Sequence, residues 1–272
     1  MSVKIKYHLS VALKYALLII VSTIMMFPFY WMVVSSLKTG GEVFQYPPTW
    51  FPNNVAFENY MIVLKNTPYM RYFINSVVVA VIETALVAFT SLLCAFGFYR
   101  YDFKGKKALF FIFLVVSSLP FEVVMVFNYK MIVSWGIHDT HAAMILPFVA
   151  NFFYVYILHN ALKGMPGELL IASMVDRCSN MKFLFKIAMP VIQPTLIFVC
   201  LMNFIGAWNS FVWPLLVTNS DEIRTVSFGI YNFMSSLSSK NELVMAMSVI
   251  TELPLIIIFL IFKKHFLKGR YT

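Results

Sequence analysis

Charged residues are scarce in this sequence of 272 residues, at 12% of the chain, against about 25% in soluble domains. Hydrophobic residues make up 60%, which is more apolar surface than a soluble fold could cover. Glycine and proline are also few, at 10 and 12 residues, and no low-complexity tract occurs, so disordered and fibrous classes are excluded. We therefore predict an integral membrane protein with a single domain over residues 1–272.

Cysteine and the motifs of enzymes are equally rare. The three cysteines, Cys94, Cys178 and Cys200, are an odd number without metal-ligand spacing, and two lie in apolar runs. We expect buried small side chains and no disulfide. No glycine-rich phosphate loop, GxSxG elbow or HExxH motif is found. We predict that this chain has no catalytic residue and is not an enzyme, so any energy source must lie in another protein.

Six stretches have the length of transmembrane helices, since a hydrocarbon core about 30 Å thick needs roughly 20 apolar residues of helix. The first is longer than a signal-peptide core, and no small-residue cleavage site follows it, so we expect a retained helix. The fifth is too long for one straight span and contains Pro190 and Pro194, so its first turns are expected at the interface. The six spans of this all-α fold are 12–34, 76–98, 108–127, 142–161, 187–217 and 243–262.

Basic residues are distributed unevenly over the segments that connect the spans. With the N-terminus inside, the inner segments hold 15 Lys and Arg and the outer loops hold six. Such an excess favours the cytoplasm, so we predict that both termini are cytoplasmic. The net charge of +9 is spread in short groups between apolar runs, which indicates contact with the lipid bilayer and no nucleic-acid binding.

The inner segment 162–186 contains a further, shorter helix. The run 166–176 begins with Pro166 and carries Glu168 in its first turn, and both are favourable at a helix N-terminus. We predict a short helix on the cytoplasmic face.

Two imidazoles and a carboxylate lie together in an outer loop, in the run His138-Asp139-Thr140-His141 after Gly136. A metal site and a solvated turn are the two interpretations. The position after a glycine in a loop favours the turn, and we expect no metal.

Three carboxylates, Glu83, Glu122 and Glu252, fall within predicted spans. An ionised group there costs a few kcal/mol or more unless it faces a cavity or a partner. We consider each a candidate for lining a substrate pathway. Structural hydrogen bonding and a proton relay are the alternatives, and Glu122 and Glu252 lie beside Pro120 and Pro254, where freed backbone groups attract water.

The fifth span is the most suggestive, because polar groups and aromatic rings alternate there with small residues. Asn203, Trp208 and Asn209 are candidates for contact with a sugar, whose apolar faces and hydroxyl rim suit such a surface. Helix packing around Gly206 is the alternative. Trp213 is interpreted as an interfacial anchor.

A spaced pattern crosses the inner segment. Ile171-Ala172-Ser173 is followed after three residues by Arg177, and after nine more by 187–190, which ends in Pro190. This spacing resembles the EAA loop of binding-protein-dependent ABC importer permeases, which reads E-A-A, three residues, G, nine residues and I-x-L-P. The resemblance implies ATPase-coupling roles for Glu168, Ile171, Ala172, Ser173, Asp176, Arg177 and Pro190.

Other motifs, in order along the chain, are similar to those of the carbohydrate permeases that resemble the second maltose-system permease. They are Ser36-Leu37-Lys38, Pro47-Pro48-Thr49-Trp50-Phe51-Pro52, Glu58-Asn59-Tyr60, Asn75-Ser76, Tyr99-Arg100-Tyr101-Asp102-Phe103-Lys104-Gly105-Lys106 and Trp208-Asn209-x-Phe211.

The resemblance implies a type I ABC importer permease fold with a cytoplasmic coupling helix, in a bacterial cytoplasmic membrane. It implies four kinds of partner: a second permease subunit, two ATPase subunits, an extracytoplasmic solute-binding protein and a carbohydrate substrate. ATP and Mg would be bound by the ATPase subunits, and no cofactor by this chain. Closure of the ATPase dimer would rock the helices as rigid bodies.

Three positions depart from the family pattern. The glutamate is replaced by Ile171, the second alanine by Ser173 and the glycine by Arg177. Glu168 lies three residues before Ile171 on nearly the same helical face, so it is a candidate for the missing carboxylate. If the family glycine allows a tight turn after the helix, Arg177 must take strain or the turn must change.

Two other classes remain as alternatives. A proton-coupled secondary carrier would use the carboxylates in the spans, although six spans without two matching broken-helix repeats are few for common carrier folds. A non-transporting membrane scaffold or sensor subunit would account for the departures from the EAA pattern.

Overall fold

The computed structural model describes residues 2–236 and 240–268, and it contains helices and no strand within those two ranges. A 3₁₀ turn covers Leu146–Phe148, and a π-turn covers Leu184–Ala188. The helices are α1 (Ser2–Ser36), α2 (Gly40–Val43), α3 (Glu58–Asn66), α4 (Tyr69–Arg100), α5 (Lys106–Ser117), α6 (Phe121–Ser134), α7 (His141–Ile145), α8 (Phe152–Lys163), α9 (Gly167–Val175), α10 (Asn180–Phe183), α11 (Met189–Val191), α12 (Gln193–Trp208), α13 (Val212–Val217), α14 (Val226–Ser236) and α15 (Asn241–Lys268).

Within the described ranges, three helices are long and apolar enough to cross a bilayer unaided. They are Val11–Ser36 in α1, Tyr69–Arg100, and Asn241–Lys263 in α15. Three pairs of helices have the required length and composition when each pair is counted as one bent span, which gives up to six spans. The predicted all-helical membrane fold is confirmed.

Each bent pair breaks where a proline has no backbone N–H to donate, or where a side chain replaces a backbone acceptor at the beginning of the next helix. The helices α5 and α6 meet at 92° around Ser118-Leu119-Pro120, and Pro120 has no N–H to donate. The pair α7 and α8 bends by 50° before Asn151, whose side chain caps α8. The pair formed by Asn180–Val191 and α12 bends by 83°, beside Pro194 in the first turn of α12. This is where the overlong fifth span was expected to turn.

The chain divides into two compact units, of which unit 1 comprises Met1–Tyr69 and Ile230–Pro254. In unit 1 a side chain of α3 binds carbonyl groups at and just after the end of α1. Asn59 Nδ2 donates to the carbonyl oxygens of Ser36 and Lys38, at 2.8 and 2.9 Å. Carbonyls at a helix end have no partner inside the helix, so these bonds fix the path of the loop.

Unit 2 comprises Met70–Gly229 and Leu255–Thr272 and contains the segments that carry most of the candidate residues. One of its buried cores joins α4, α8 and the residues around the bend before α12: Leu92, Phe96, Leu158, Leu162, Phe183, Leu184, Ile192 and Val199. Another joins α4, α6, α7 and α13: Val79, Ile132, Ala143, Met144, Ile145, Trp213 and Val217. The single domain over residues 1–272 stays a prediction.

Candidate coupling helix and polar sites

The short helix predicted in the inner segment is α9, which follows Pro166 and ends at Val175. Glu168 lies in its first turn and is exposed. The positive end of the helix dipole stabilises a carboxylate at this position. Glu168 is therefore an accessible negative charge at the beginning of α9.

The two sides of α9 differ in burial. Ser173 is 6% exposed, and Leu170 packs against the core of α4 and α8. On the other side Ile171, Met174 and Val175 are 63, 47 and 76% exposed. A helix that joins two spans therefore presents apolar side chains that no described residue of the chain covers.

The end of α9 has the geometry that usually requires glycine. Arg177 has a φ of +52°, in the left-handed region that costs an L-residue with a Cβ roughly 1–2 kcal/mol. Its N–H donates to the carbonyl of Met174 at 3.1 Å, and the N–H of Cys178 donates to that of Ser173 at 2.8 Å. These two bonds form a Schellman motif. Two outcomes were expected for Arg177, namely a strained residue or a changed turn. The structure keeps the turn, and Arg177 adopts the strained left-handed conformation.

The segment around α9 is tied to the spans at both of its ends. Before the helix, Met165 belongs to the core that α4 and α8 share, and after it Cys178 packs against the same core. Asn180 accepts a hydrogen bond from Arg100 at 3.0 Å and donates to the Tyr101 hydroxyl at 2.8 Å. A displacement of α9 would therefore move the ends of at least two membrane helices.

Pro190 lies three residues before the first residue of α12, at the 83° bend. It borders a cavity of about 580 Å³ within unit 2, together with Thr84, Leu196, Cys200 and Phe204. The end of the EAA-like pattern thus coincides with the bend of the fifth span.

Two residues predicted separately from the sequence, Glu83 and Asn203, lie in contact. They are 6 and 7% exposed. Asn203 Nδ2 donates to Glu83 Oε1 and to Thr84 Oγ1, both at 3.2 Å. The pair links α4 to α12 inside the membrane, which is the structural alternative named above for a carboxylate in a span.

The other candidates in the spans are dispersed. Trp208 is 2% exposed and stacks at 5.9 Å on Phe204, whereas Asn209 is exposed after the end of α12. Glu122 is exposed, and Glu252 is partly buried. Substrate contact stays a prediction for all of these residues.

Trp213 does not act as an interfacial anchor. It is 2% exposed, and its Nε1 donates to the carbonyl of Ala143 at 3.1 Å. This hydrogen bond supplies the partner that a buried indole requires. The interfacial interpretation is therefore wrong, because the hydropathy pattern does not distinguish a membrane interface from a protein core.

A polar tether between the loop that follows α6 and the loop that follows α13 was not predicted from the sequence. Asp139 Oδ1 accepts hydrogen bonds from the N–H groups of Asn219 and Ser220, at 2.8 and 3.1 Å. Partial burial raises the pKa of Asp139, but these two donors outweigh it and hold the pKa below its usual range. Asp139, which accepts these two hydrogen bonds, also has an unusual φ of +60°. The only sequence signal was an Asp in a turn.

Both histidines of the same run have protein partners. Nε2 of His141 lies 3.1 Å from Asn75 Oδ1, and Nε2 of His138 lies 3.4 Å from the carbonyl of Leu216. Asn75 also donates to the carbonyl of Arg224, at 3.0 Å. Within the part of the chain that the structure describes, no three His, Cys, Asp or Glu residues are grouped so that they could hold a metal ion.

These features define a helical, multi-pass membrane protein with a short exposed helix between two bent spans. The family described as "Binding-protein-dependent transport system inner membrane component" matches residues 88–270. The chain belongs to this family. Its members are components of transport systems, and the matched region contains α9 and the three bends.

Characterised relatives match nearly the whole chain. The arabinooligosaccharides transport system permease protein of Bacillus subtilis is 29% identical over 266 residues, which cover 97% of this chain and 94% of the relative. The lactose transport system permease protein of Rhizobium radiobacter is 27% identical, with 94 and 93% covered. The diacetylchitobiose uptake system permease protein of Streptomyces coelicolor is 26% identical, with 93 and 85% covered.

Solved structures show the same fold. A crystal structure of a bacterial ABC transporter involved in the import of the acidic polysaccharide alginate has a TM-score of 0.82 at 17% identity and covers 97% of both chains. A second structure, of a bacterial alginate ABC transporter with an alginate pentasaccharide-bound periplasmic protein, has a TM-score of 0.68 at 14% identity and covers 92% of both chains.

Proposed function

We propose that this chain is a permease subunit of an ATP-driven, binding-protein-dependent importer for a carbohydrate, an oligosaccharide or glycoside. Family membership gives the transport role. The sugar class is supported by the relatives, whose names refer to arabinooligosaccharides, lactose and diacetylchitobiose. The chain forms half of the translocation pathway and pairs with a second permease subunit.

The observation that carries the coupling part of the proposal is the two-sided burial of α9. Ile171, Met174 and Val175 are exposed apolar residues on a helix too short to span a bilayer. Exposed apolar surface between spans indicates a protein partner. The proposed partner is one of two ATPase subunits, which bind ATP and Mg. A groove of this subunit would accept the ridge formed by the three exposed apolar side chains, with Glu168 at one end of the ridge.

The attachments of α9 support rigid-body transmission of the ATPase movement. Met165 and Cys178 pack with α4 and α8, and Asn180 is hydrogen bonded to the end of α4. Closure of the ATPase dimer would displace α9 and rotate these spans together, because packed cores move between discrete arrangements and do not deform continuously.

The proposed orientation places α9 and both termini in the bacterial cytoplasm. It rests on the excess of Lys and Arg in the inner segments, 15 against six. The opposite side then holds the loops joined by Asp139 and Asn75, and an extracytoplasmic solute-binding protein delivers the sugar there.

Two other classes predict different behaviour. A proton-coupled carrier would take up substrate without an ATPase, and family membership argues against it. A scaffold or sensor subunit would assemble with partners but would give no substrate-stimulated ATP hydrolysis. Our proposal explains the two departures from the EAA pattern differently. Ile171 would contact an apolar groove of the ATPase subunit, and Arg177 would occupy a strained turn after α9.

Copurification tests the assembly. The chain is coexpressed with the products of its neighbouring genes and is purified through a tag on this chain. The expected result is a complex with two ATPase subunits whose ATP hydrolysis is stimulated by a loaded binding protein. Stable transport by the chain alone would contradict the proposal, and assembly without stimulation would favour the scaffold.

Val175→Asp tests α9 as the docking helix, because a charge buried in an apolar contact is strongly unfavourable. Uptake should fall about tenfold or more, while membrane insertion is unchanged. The matched control is Met181→Asp, at an exposed apolar position of 54% on neighbouring α10, which should retain uptake within about twofold. Glu168→Gln should reduce coupling by a smaller factor. Equal losses in the two Asp variants would reject the docking assignment.

A further inference from the structure

The loop between α2 and α3, residues 44–57, exposes an unusual number of large apolar side chains for a segment outside the helices. No charged residue occurs at positions 43–57. Clusters of exposed apolar side chains mark contacts with a membrane or with another protein. We call this segment the aromatic loop. Its apolar side chains that are between 55 and 94% exposed are Phe44, Tyr46, Trp50, Phe51, Val55 and Phe57.

The helix α1 provides a measure of depth in the bilayer. No charged residue occurs at positions 15–37, and every residue at positions 12–30 is exposed, which suits a helix surrounded by lipid. A hydrocarbon core about 30 Å thick takes roughly 20 residues of helix. A span that enters the core after Lys14 therefore leaves it near Val34.

The aromatic loop folds back along the last turns of α1. The ring centroid of Trp50 lies 6.2 Å from those of both Phe27 and Trp31. The Phe51 ring lies 6.4 Å from the ring of Tyr30, whose hydroxyl donates to the carbonyl of Trp50. These three residues of α1 lie roughly 5–10 Å inside the edge of the hydrocarbon core, because an α-helix rises about 1.5 Å per residue. The loop residues beside them therefore reach the depth of the bilayer.

Several backbone groups of the aromatic loop have partners inside the protein. Lys38 and Glu42 are 1 and 8% exposed. Lys38 Nζ donates to the carbonyl of Thr49, and Glu42 Oε1 accepts from the N–H of Asn53 at 2.8 Å. Three other residues of the loop are prolines, which have no N–H. Irregular backbone is unfavourable near lipid unless its polar groups are satisfied, so these features suit a loop that lies in the bilayer interface.

Lipid is also the partner that the exposed side chains of the loop favour. Trp and Tyr are enriched at membrane–water interfaces, and the loop supplies Tyr46 and Trp50. An interface between proteins carries about one hydrogen bond per 100–200 Å², which requires free polar groups. The Thr49 hydroxyl is already used, since it donates to Glu42 Oε1 at 2.9 Å. The remaining exposed surface is mostly rings, which glycerol groups and acyl chains can cover without hydrogen bonds.

We infer that the aromatic loop is an interfacial membrane anchor, which places Trp50 and Phe51 in the bilayer beside the C-terminal end of α1. The contacts are with the glycerol groups and the upper acyl chains of phospholipids. Because the loop has no charge, the contact does not require anionic headgroups. The inference rests neither on the transported substrate nor on the side of the membrane that the loop faces.

Spin labelling measures the depth of the loop directly. Phe51→Cys is made in the full chain with its three native cysteines replaced by serine, labelled with a nitroxide and reconstituted into nanodiscs of phosphatidylethanolamine and phosphatidylglycerol. Collisions of the label with O₂, which concentrates in lipid, are compared with collisions with a water-soluble nickel chelate. Met25→Cys, at a position 66% exposed on α1, is the lipid reference. Lys65→Cys, at an exposed position in the last turn of α3, is the aqueous reference.

The ratio of O₂ to nickel collisions at position 51 should be several times the ratio at position 65 and lower than the ratio at position 25. It should be unchanged in nanodiscs of phosphatidylcholine alone. A ratio equal to that at position 65 would place the loop in water and overturn the anchor. The same labels are then measured in the complex that copurifies with the chain. A loss of O₂ collisions at position 51 in that complex would show that a protein covers the loop and would also overturn the anchor.

Tryptophan fluorescence gives a second measurement without a label. Trp50→Phe keeps an aromatic ring beside α1 and removes the fluorophore. In nanodiscs whose lipids carry bromine near the glycerol, the quenched fraction of the fluorescence should be lower in Trp50→Phe than in the native chain. Trp208→Phe is the control, because Trp208 is 2% exposed, and this variant should not lower the quenched fraction. Equal quenching of the native chain and Trp50→Phe would contradict the inference.

Discussion

The Glu83–Asn203 pair and the outer side of α9 belong to the same unit, and each places side chains where their chemistry is unfavourable. The pair puts a carboxyl and an amide inside the membrane, 6 and 7% exposed, and the two groups bind each other. The helix α9 puts Ile171 and Val175 outward at 63 and 76% exposure, and no described residue covers them. The buried polar groups find their partners within the chain, whereas the exposed apolar side chains need another protein to cover them.

The difference separates a region whose contacts are complete within the subunit, the buried pair, from a region that forms one side of an interface, the exposed side of α9. A polar pair buried between two helices contributes to stability, and it should be sensitive to mutation in the isolated chain. An exposed apolar ridge contributes nothing to the stability of the isolated chain. Mutations there should act only in the assembled importer, and the predictions below test this division.

The largest effect on stability is expected for Asn203→Ala. Loss of the amide leaves the buried Glu83 carboxyl without its donor, which costs about 2–3 kcal/mol. The unfolding temperature of the detergent-solubilised chain should fall by several degrees. Glu83→Gln, which keeps a hydrogen-bonding partner of the same size, is the matched control and should be milder. If Asn203→Ala unfolds at the native temperature, the pair is not structural.

An intermediate effect is expected for Asp139→Ala, which removes the acceptor for Asn219 and Ser220. The loss should be about 1–2 kcal/mol, with faster hydrogen exchange at residues 218–225. Asp139→Asn keeps an acceptor oxygen and should retain part of the tether. An exchange rate in Asp139→Ala equal to that of the native chain would show that the loop is held elsewhere.

The Asp139 tether should also depend on pH. Its folded-state pKa is depressed, so its contribution is present above the unfolded pKa of about 3.9 and is lost as the pH falls through the lower folded value. Hydrogen exchange at residues 218–225 should accelerate below about pH 4, and the acceleration should be absent in Asp139→Asn. An acceleration that persists in Asp139→Asn would assign the change to another group.

The smallest effect, and a favourable one, is expected for Arg177→Gly. The left-handed φ of +52° carries no Cβ penalty for glycine, so the Schellman turn should gain about 0.5–1 kcal/mol. Arg177→Ala removes the same charge but keeps the Cβ, and it should show no gain. Urea or thermal unfolding of the solubilised chain measures both. An equal gain in the two variants would attribute the effect to charge and would remove the strain argument.

The sequence predicted the features that depend on periodicity, composition and local chemistry. The apolar runs gave the spans, and Pro166 with Glu168 gave the beginning of α9 within one residue. Pro190 and Pro194 indicated the turn in the fifth span, which the structure shows as an 83° bend. These are local effects, because a proline removes a donor and fixes φ wherever the chain goes.

Features that depend on contacts between distant residues were not predictable in the same way. The sequence identified Glu83 and Asn203 individually, but 120 residues separate them, and nothing local pairs them. Trp213 was assigned to an interface because hydropathy does not separate a lipid boundary from a protein core. The Asp139 tether joins residues 80 and 81 positions apart and was also missed.

Photocrosslinking from α9 tests the central claim most directly. A photoreactive phenylalanine analogue is placed at position 171 in the assembled importer, and the adducts are identified by mass spectrometry, with position 181 on α10 as the control. We expect position 171 to crosslink to the ATPase subunit in high yield and position 181 to do so weakly or not at all. Crosslinks from position 171 to lipid or to the second permease alone would contradict it.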